Sequence, residues 1–466
     1  MGLSSKLLSI FVIAIVMMIT TTSFMMVKAD SSNNYGDALT KSILFFEGQR
    51  SGKLPPSQCM TWRKDSALND GFDAHLDMFG GYYDAGDNVK FHFPMAFSTT
   101  MLGWGVLEFG NSMESDLQNA LEAIRWGSDY FVQATRIHNL VVAQIGEPYG
   151  DHDCWERPED TDTPRNTYVL TPDKPGSELS AEIAGSLAAS SMAFRASDPQ
   201  YSKLLLSQAI RAFDFANNNH GSYNDSIGSA ACPFYCDFSG YMDELLWGAA
   251  WLYKATKMRK HWNFVKENIG SMESANVIRS IKGASVLLTG GGFTEFGCDC
   301  KNAGINVLVS KWVMTKPSRA SPFIPNADNF VCSALSNSPT KSLFYSKGNI
   351  FQTRSNPLGM SYMVGYGNKF PQKIHHRGST LPSLDQHPQQ IKCRDGDQYF
   401  KTNAPNPNVL VGAVVGGPAE DDTFEDSRYN VGQSEPTTYL NAPFVGLVVY
   451  FKSPQASSGF VKFDWL

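Results

Sequence analysis

The chain has 466 residues, 42% of them hydrophobic, and a formal net charge of −6. That length buries a large core, so its eight cysteines are not needed to hold a small fold together. A mild acidic excess without basic runs argues against nucleic acid or an anionic polymer as partner and favours a neutral one.

Residues 1–29 read as a secretory signal. Lys6 opens it, Leu7 to Ile19 is almost wholly apolar, and Val27-Lys28-Ala29 is a small-residue cleavage site. The apolar run is shorter than the roughly 20 residues of a spanning helix, and polar Thr20 to Ser23 follow it. Cleavage removes Lys6 and Lys28 and no acid, taking the net charge from −6 to −8. The expectation is an exported, soluble monomer free of the membrane, with residues 30–466 forming one domain.

The first unusual segment is 79–94, where Gly80-Gly81-Tyr82-Tyr83-Asp84-Ala85-Gly86-Asp87 sets two acids three apart among glycines. Glycines permit tight turns, so both carboxylates can face one cavity and hold a water between them. A calcium loop or a capped turn uses the same residue types. Next, Ser115-x-x-Gln118 has a capping-box pattern, and Leu117, Ala120, Leu121, Ile124 and Phe131 share one helical face. A loop rich in Gly, Pro, Asp and aromatics, including Trp155, covers 146–176.

Residues 178–195 and 240–256 are helix-like. Between them Asp198-Pro199 starts a helix with Leu205, Ala209, Ala212 and Ala216 as its stripe. Asn224-Asp225-Ser226 is the sole glycosylation sequon. Cys232-x-x-x-Cys236 and Cys298-x-Cys300 lack the paired spacing of a zinc site. Trp247 and Trp251, one turn apart, are ring platforms for a sugar or, more ordinarily, core. Period-two alternation is scarce, which predicts an all-α fold of helical hairpins with functional loops between them.

Two such loops remain, 366–408 and 415–436. In the first, His375-His376-Arg377 places a histidine and an arginine on one side of an extended segment; a surface basic cluster is the plainer alternative. In the second, Asp422-x-Phe424-x-Asp426-x-Arg428 precedes Gln433-Ser434-Glu435-Pro436. Pro436 predicts a first helical turn with Glu435 at the helix mouth, where a helix cap is the competing role. The dipole there favours a charged carboxylate, so a proton donor needs burial or a neighbouring acid such as Asp426.

These segments together resemble glycoside hydrolase family nine, in particular plant endo-β-1,4-glucanases. The resemblance runs from Tyr35 to about Phe451. It rests on Asp37 to Pro56, Gly80 to Asp87, Cys154-Trp-Glu-Arg-Pro-Glu-Asp160 and Cys232-Pro-Phe-Tyr-Cys236. Ser361 to Lys369 leading to His375-x-Arg377, and Asp426 to Asn441, complete it. It implies an (α/α)6 barrel and inverting hydrolysis of internal β-1,4-glucosidic bonds, without metal or organic cofactor. Asp87 would be the general base, Asp84 would help hold its water, and Glu435 would be the general acid. His375 and Asp426 match further active-site positions, while Arg377, Trp155 and Tyr241 would contact the glucan.

Three departures stand out. Val431 replaces a usual aromatic, and Cys298 stands where relatives carry a tryptophan, removing one stacking platform. Between Arg354 and Asn356 the chain lacks sequence that relatives carry, enough for a helical hairpin. Losing a hairpin from a closed toroid exposes its neighbours' apolar flanks. The expectation is a secreted cell-wall endoglucanase; the alternative is a glucan-binding isoform without turnover.

Overall fold

The computed structural model describes residues 34–273, 276–281, 284–289, 296–313, 323–334, 357–419 and 421–453. The signal segment and the Arg354–Asn356 junction lie outside them. Among the described residues, ten helices of at least twelve residues build an all-α toroid. They are α1 (Tyr35–Gly48), α2 (His92–Met113), α3 (Leu117–Ala134), α4 (Ser177–Ala193) and α5 (Pro199–Asn218). Then come α6 (Met242–Thr256), α7 (Arg259–Glu273), α8 (Asn302–Val313), α9 (Phe323–Ala334) and α10 (Thr438–Lys452).

Inner and outer helices alternate along the chain. The inner ring runs α10–α2–α4–α6–α8, and α1, α3, α5, α7 and α9 pack outside as their partners. Sequence explains the division. Every residue from Ser177 to Ser191 of α4 is buried, as expected of a helix surrounded by others. By contrast, α3 and α5 bury one stripe, containing Ala120, Leu121, Ile124 and Phe131 in α3 and Leu205, Ala209, Ala212 and Ala216 in α5. α2 and α10 cross closely at two glycines, a Cβ on Gly105 lying 3.4 Å from the Gly446 Cα. Trp247 and Trp251 are core, fully buried and edge-on to Trp104 at 5.8 and 5.6 Å.

Two helix starts differ in outcome. Asp198 caps α5 as expected, accepting the Tyr201 N–H at 3.1 Å with Pro199 in the first turn. The capping box at Ser115 does not form. Glu114–Asp116 make a 3-10 turn, and the Asp116 carboxylate at the start of α3 is taken by the Thr40 hydroxyl at 3.1 Å. α2 begins at His92, inside the segment expected to be loop, with Pro94 in its first turn.

Small antiparallel sheets decorate the helices. β1 (Lys90–Phe91), β2 (Val141–Ile145) and β3 (Thr167–Leu170) form one, in the register Lys90↔Ile145 and Val141↔Leu170. β4 (Asn276–Ile281) and β5 (Ala284–Thr289) form a hairpin. All five residues of β2 are buried, which hides the alternation that would have marked it. Cys154 bonds to Cys393 and Cys232 to Cys236.

Candidate active site

Three loops from distant parts of the sequence interlock at one end of the toroid. Gly80 and Gly81 turn the first with φ of +100° and +71°, and a side chain at Gly81 would meet the Tyr130 ring at 2.8 Å. Tyr83 N–H then donates to the Gln49 carbonyl at 2.9 Å. Gly86 serves a close approach. A Cβ there would overlap the His375 carbonyl and stand 3.0 Å from Glu435 Oε1.

Backbone bonds lock the junction. Arg377 N–H donates to Gly86 O (3.0 Å), His375 N–H to Ser434 O (3.2 Å) and Thr438 N–H to Asp84 O (2.9 Å). Gly86 N–H donates to Glu435 Oε1 at 3.0 Å. Asp84, Asp87 and Glu435 are thereby brought together across some 350 residues of chain and lie in one another's fields.

Each acid has its own environment. Asp84 is buried and accepts the Tyr235 hydroxyl and the Thr438 hydroxyl (3.2 Å). Burial, then the Asp87 and Glu435 charges, push its pKa well up. Asp87 accepts the Val89 N–H at 2.8 Å and is raised chiefly by burial, with His152 and Arg377 opposing. Burial and then Asp87 raise Glu435 to about 7, against the Gly86 N–H and Arg377. A group at that value carries a proton in mildly acidic water.

Glu435 does not open a helix. It follows the short helix Val431–Ser434, and α10 starts at Thr438, where the Thr437 hydroxyl takes the capping role by accepting the Leu440 N–H at 3.3 Å. Pro436 precedes that cap, so burial and Asp87, rather than a dipole opposed by Asp426, govern its proton. Asp426 instead accepts the N–H groups of Gln372 (3.1 Å) and Lys373 (2.8 Å), anchoring the histidine loop.

That loop is no surface basic cluster, and it is extended only as far as His376, with Arg377 opening a helical turn. His376 caps the one-turn helix Arg377–Thr380, accepting the Ser379 N–H on Nδ1 at 3.0 Å, which leaves Nε2–H to donate to Gln49 Oε1 at 2.7 Å. Gln49 in turn donates to the Ala85 carbonyl at 2.7 Å. His375 lies beside a carbonyl, Arg428 O, at 2.8 Å, so Nδ1 carries its hydrogen and Nε2 is an acceptor. Burial lowers His375 to about 4 and keeps it neutral.

The residues expected to contact glucan are placed differently. Arg377 is buried and paired with Asp151 at 2.6 Å, its second nitrogen on the Asp151 carbonyl. Trp155 is 7% exposed, between Arg377, His375 and Phe400, with no open face for stacking. Tyr241, at the start of α6, has its ring 5.6 Å from His220 and is not brought to the acids by any contact among the described residues.

Comparison with known proteins decides the family. The sequence model of glycosyl hydrolase family 9 matches residues 35–355 and 354–448. The chain belongs to glycosyl hydrolase family 9. Among similar proteins, endoglucanase 4 of Arabidopsis thaliana is 48% identical, covering 91% of this chain and 95% of its own. Endoglucanase 17 of Oryza sativa subsp. japonica is 47% identical over 90% and 93%. The solved endoglucanase of the termite Nasutitermes takasagoensis superposes with a TM-score of 0.77 at 32% identity, over 92% of this chain and 100% of its own. Endoglucanase CelQ of Clostridium thermocellum, solved with cellotriose, gives 0.71 at 26%, over 93% and 73%. These relatives give the ring its type, (α/α)6.

Family 9 motifs contained site residues to which sequence reasoning gave no role. Tyr235 sits in the Cys232–Cys236 loop and reaches Asp84; Thr438 and Tyr439 follow Glu435 by three and four residues, at the start of α10. Two flanking cysteines and an aromatic four residues past an acid were the available signals. Tyr235 and Tyr439 open onto a cavity of about 420 Å³ with Phe93, Phe234 and Phe296. Cys298 lies in the same wall. Val431 is exposed, away from that cavity's lining.

Proposed function

We propose that this family 9 chain is a secreted endo-β-1,4-glucanase that cuts cellulose-like glucans by inversion. Glu435 is the general acid, Asp87 the general base, and Asp84 steadies the attacking water. The observation that carries this reading is the interlocked trio, with Glu435 holding a proton up to about pH 7 beside two further carboxylates. Glu435 protonates the leaving oxygen while Asp87 takes a proton from water on the opposite face of the sugar. In the inverting class such groups stand roughly 6.5–9.5 Å apart, leaving room for that water.

Other residues supply position. Neutral His375 offers Nε2 to a sugar hydroxyl, and Asp426 holds the loop that carries it. Arg377 acts on the acids through its field, which favours the charged forms of Asp87 and Glu435. Aromatic rings of the adjacent cavity present flat faces to pyranose units. The named activities of the plant relatives, and cellotriose bound by CelQ, support a β-glucan substrate.

The test uses mature chain exported from a eukaryotic host and incubated with hydroxyethyl cellulose. Expected are a rapid fall in viscosity, new reducing ends, and α-anomers as first products by proton NMR. Folded protein that never shortens the polymer sinks the proposal. Sequence lost near Arg354 favours a second reading, a glucan binder without turnover. Affinity that survives Glu435→Gln, with no turnover in either protein, would select it.

A further inference from the structure

Trp155 has no open face for a sugar, but the ring cluster that closes it ends in a side chain that does. Contacts pass from His375 to Trp155 at 4.9 Å, from Trp155 to Phe400 at 4.6 Å, and from Phe400 to Tyr429 at 4.6 Å. Phe400 also touches His375 directly, at 6.0 Å, so a single ring separates Tyr429 from that histidine. Phe400 is partly buried, whereas Tyr429 is 61% exposed. The two rings meet edge to face, so at least one face of Tyr429 stays open to water.

Exposed aromatics taken singly are ordinary. Tyr429 differs in how firmly it is held. The residue before it, Arg428, is buried, and its guanidinium donates to Asn406 Oδ1 (2.7 Å) and to the carbonyls of Thr402 and Ala404 (both 2.6 Å). The Arg428 carbonyl accepts from His375 at 2.8 Å. Beneath Phe400 lies a small separate core of Trp155, Leu381 and Ile391. The Cys154–Cys393 disulfide and the Trp155 N–H on the Cys393 carbonyl (3.1 Å) fasten it. A ring fixed in this way has little freedom left to lose when a ligand covers it, which is what a binding platform needs. Tyr429 is also outside the lining of the cavity onto which Tyr235 and Tyr439 open.

We propose that Tyr429 is the stacking platform of a further glucan subsite, which takes a glucose unit of the chain away from the bond being cut. The inference rests on the reading of the substrate as a β-1,4-glucan, whose pyranose rings present apolar C–H faces to a flat side chain. Only an oligosaccharide long enough to extend past His375 reaches the Phe400–Tyr429 edge, so this subsite selects for chain length.

Two substitutions separate stacking from packing. Tyr429→Leu keeps cover over Phe400 but has no flat face; Tyr429→Phe keeps the face. Both are made in the full mature chain carrying Glu435→Gln and titrated with cellotriose and cellohexaose by calorimetry, with melting temperatures recorded alongside. Tyr429→Leu is expected to weaken cellohexaose binding about tenfold and cellotriose binding less, while Tyr429→Phe stays within about twofold. With Glu435 restored, Tyr429→Leu raises KM for cellohexaose by a similar factor and changes kcat less, the pattern of lost binding. Undiminished cellohexaose affinity in Tyr429→Leu overturns the proposal. So does a loss that Tyr429→Phe shares, or one equal for the two sugars, or a chain with Tyr429 intact that does not bind cellohexaose. Binding that depends on Tyr429 in a chain that never cuts with Glu435 in place would sink the enzymatic reading alone.

Discussion

Glu435 and Asp87 divide one proton problem between them. Raised to about 7, Glu435 loses its proton as the pH climbs through neutrality, so kcat/KM is expected to decline above that value. Asp87, raised above its ordinary value chiefly by burial, is expected to set the acid limb if it is the base. Glu435→Gln should lower kcat by about 10²–10⁴-fold on polymer, the usual worth of general acid catalysis, and erase the alkaline limb. An aryl cellobioside whose leaving group needs no proton should be spared; an equal loss on both substrates would mean that Glu435 is not the acid. Gly86 offers a second check. Alanine there would push its Cβ into the His375 carbonyl, parting the acid loop from the histidine loop. Activity should fall at least tenfold and the melting point should drop with it, since forcing a methyl against backbone costs about 1–3 kcal/mol; wild-type kinetics and stability in Gly86→Ala would contradict this junction.

Inner helices carry a different electrostatic burden. Lys301, ahead of α8, is fully buried and bridges Glu182 of α4 at 3.1 Å and Glu244 of α6 at 3.2 Å. Removing one partner of such a buried set costs about 3–5 kcal/mol, because the remaining charges lose their counterion. Lys301→Met should therefore destabilise the chain by that order in urea titrations near pH 7. Burial already raises both glutamates, and losing the lysine raises them further. Their folded pKa values then exceed the unfolded ones, so the folded state binds more protons and stability drops as pH rises. The defect should be smallest near pH 4.5 and grow toward pH 8; a pH-independent loss would count against this account. None of this was legible in sequence. Lys301 follows Cys298-x-Cys300 with no periodic cue, and its two acids lie on helices recognised only by their apolar stretches.

At the scale of the whole molecule, much of the ring could be read in advance. α3 and α5 were legible from stripes and from the Asp198-Pro199 start, because outer helices show one face to water, whereas the inner α4 and α6 were legible only as stretches rich in small and apolar residues. α2, buried along much of its length, gave no such contrast. The acids were legible as residue types in unusual company, whereas Tyr235 and Thr438 became part of the site only through folding. Trp155 shows the converse error: an aromatic beside a candidate site reads as a platform until burial closes its faces. Asn224 is a similar case. Its side chain is paired both ways with the Asp237 backbone, donating at 2.7 Å and accepting at 3.1 Å. A glycan would replace one of that nitrogen's two hydrogens and crowd the Asp237 carbonyl, so intact-mass measurement of exported protein should find Asn224 mostly bare; full occupancy would show that the glycan fits beside the pair.

The bond between Cys154 and Cys393 closes a span of 239 residues, and the junction at 354–355 falls inside it. Closure entropy grows only with the logarithm of loop length, so losing tens of residues from so long a loop changes it by about a few tenths of a kcal/mol. A splicing change at that junction thus leaves the clasp almost untouched. Trp155 stays fastened beside the histidine loop whatever the length of sequence at that junction, so the ring's wall can vary without unpicking its mouth.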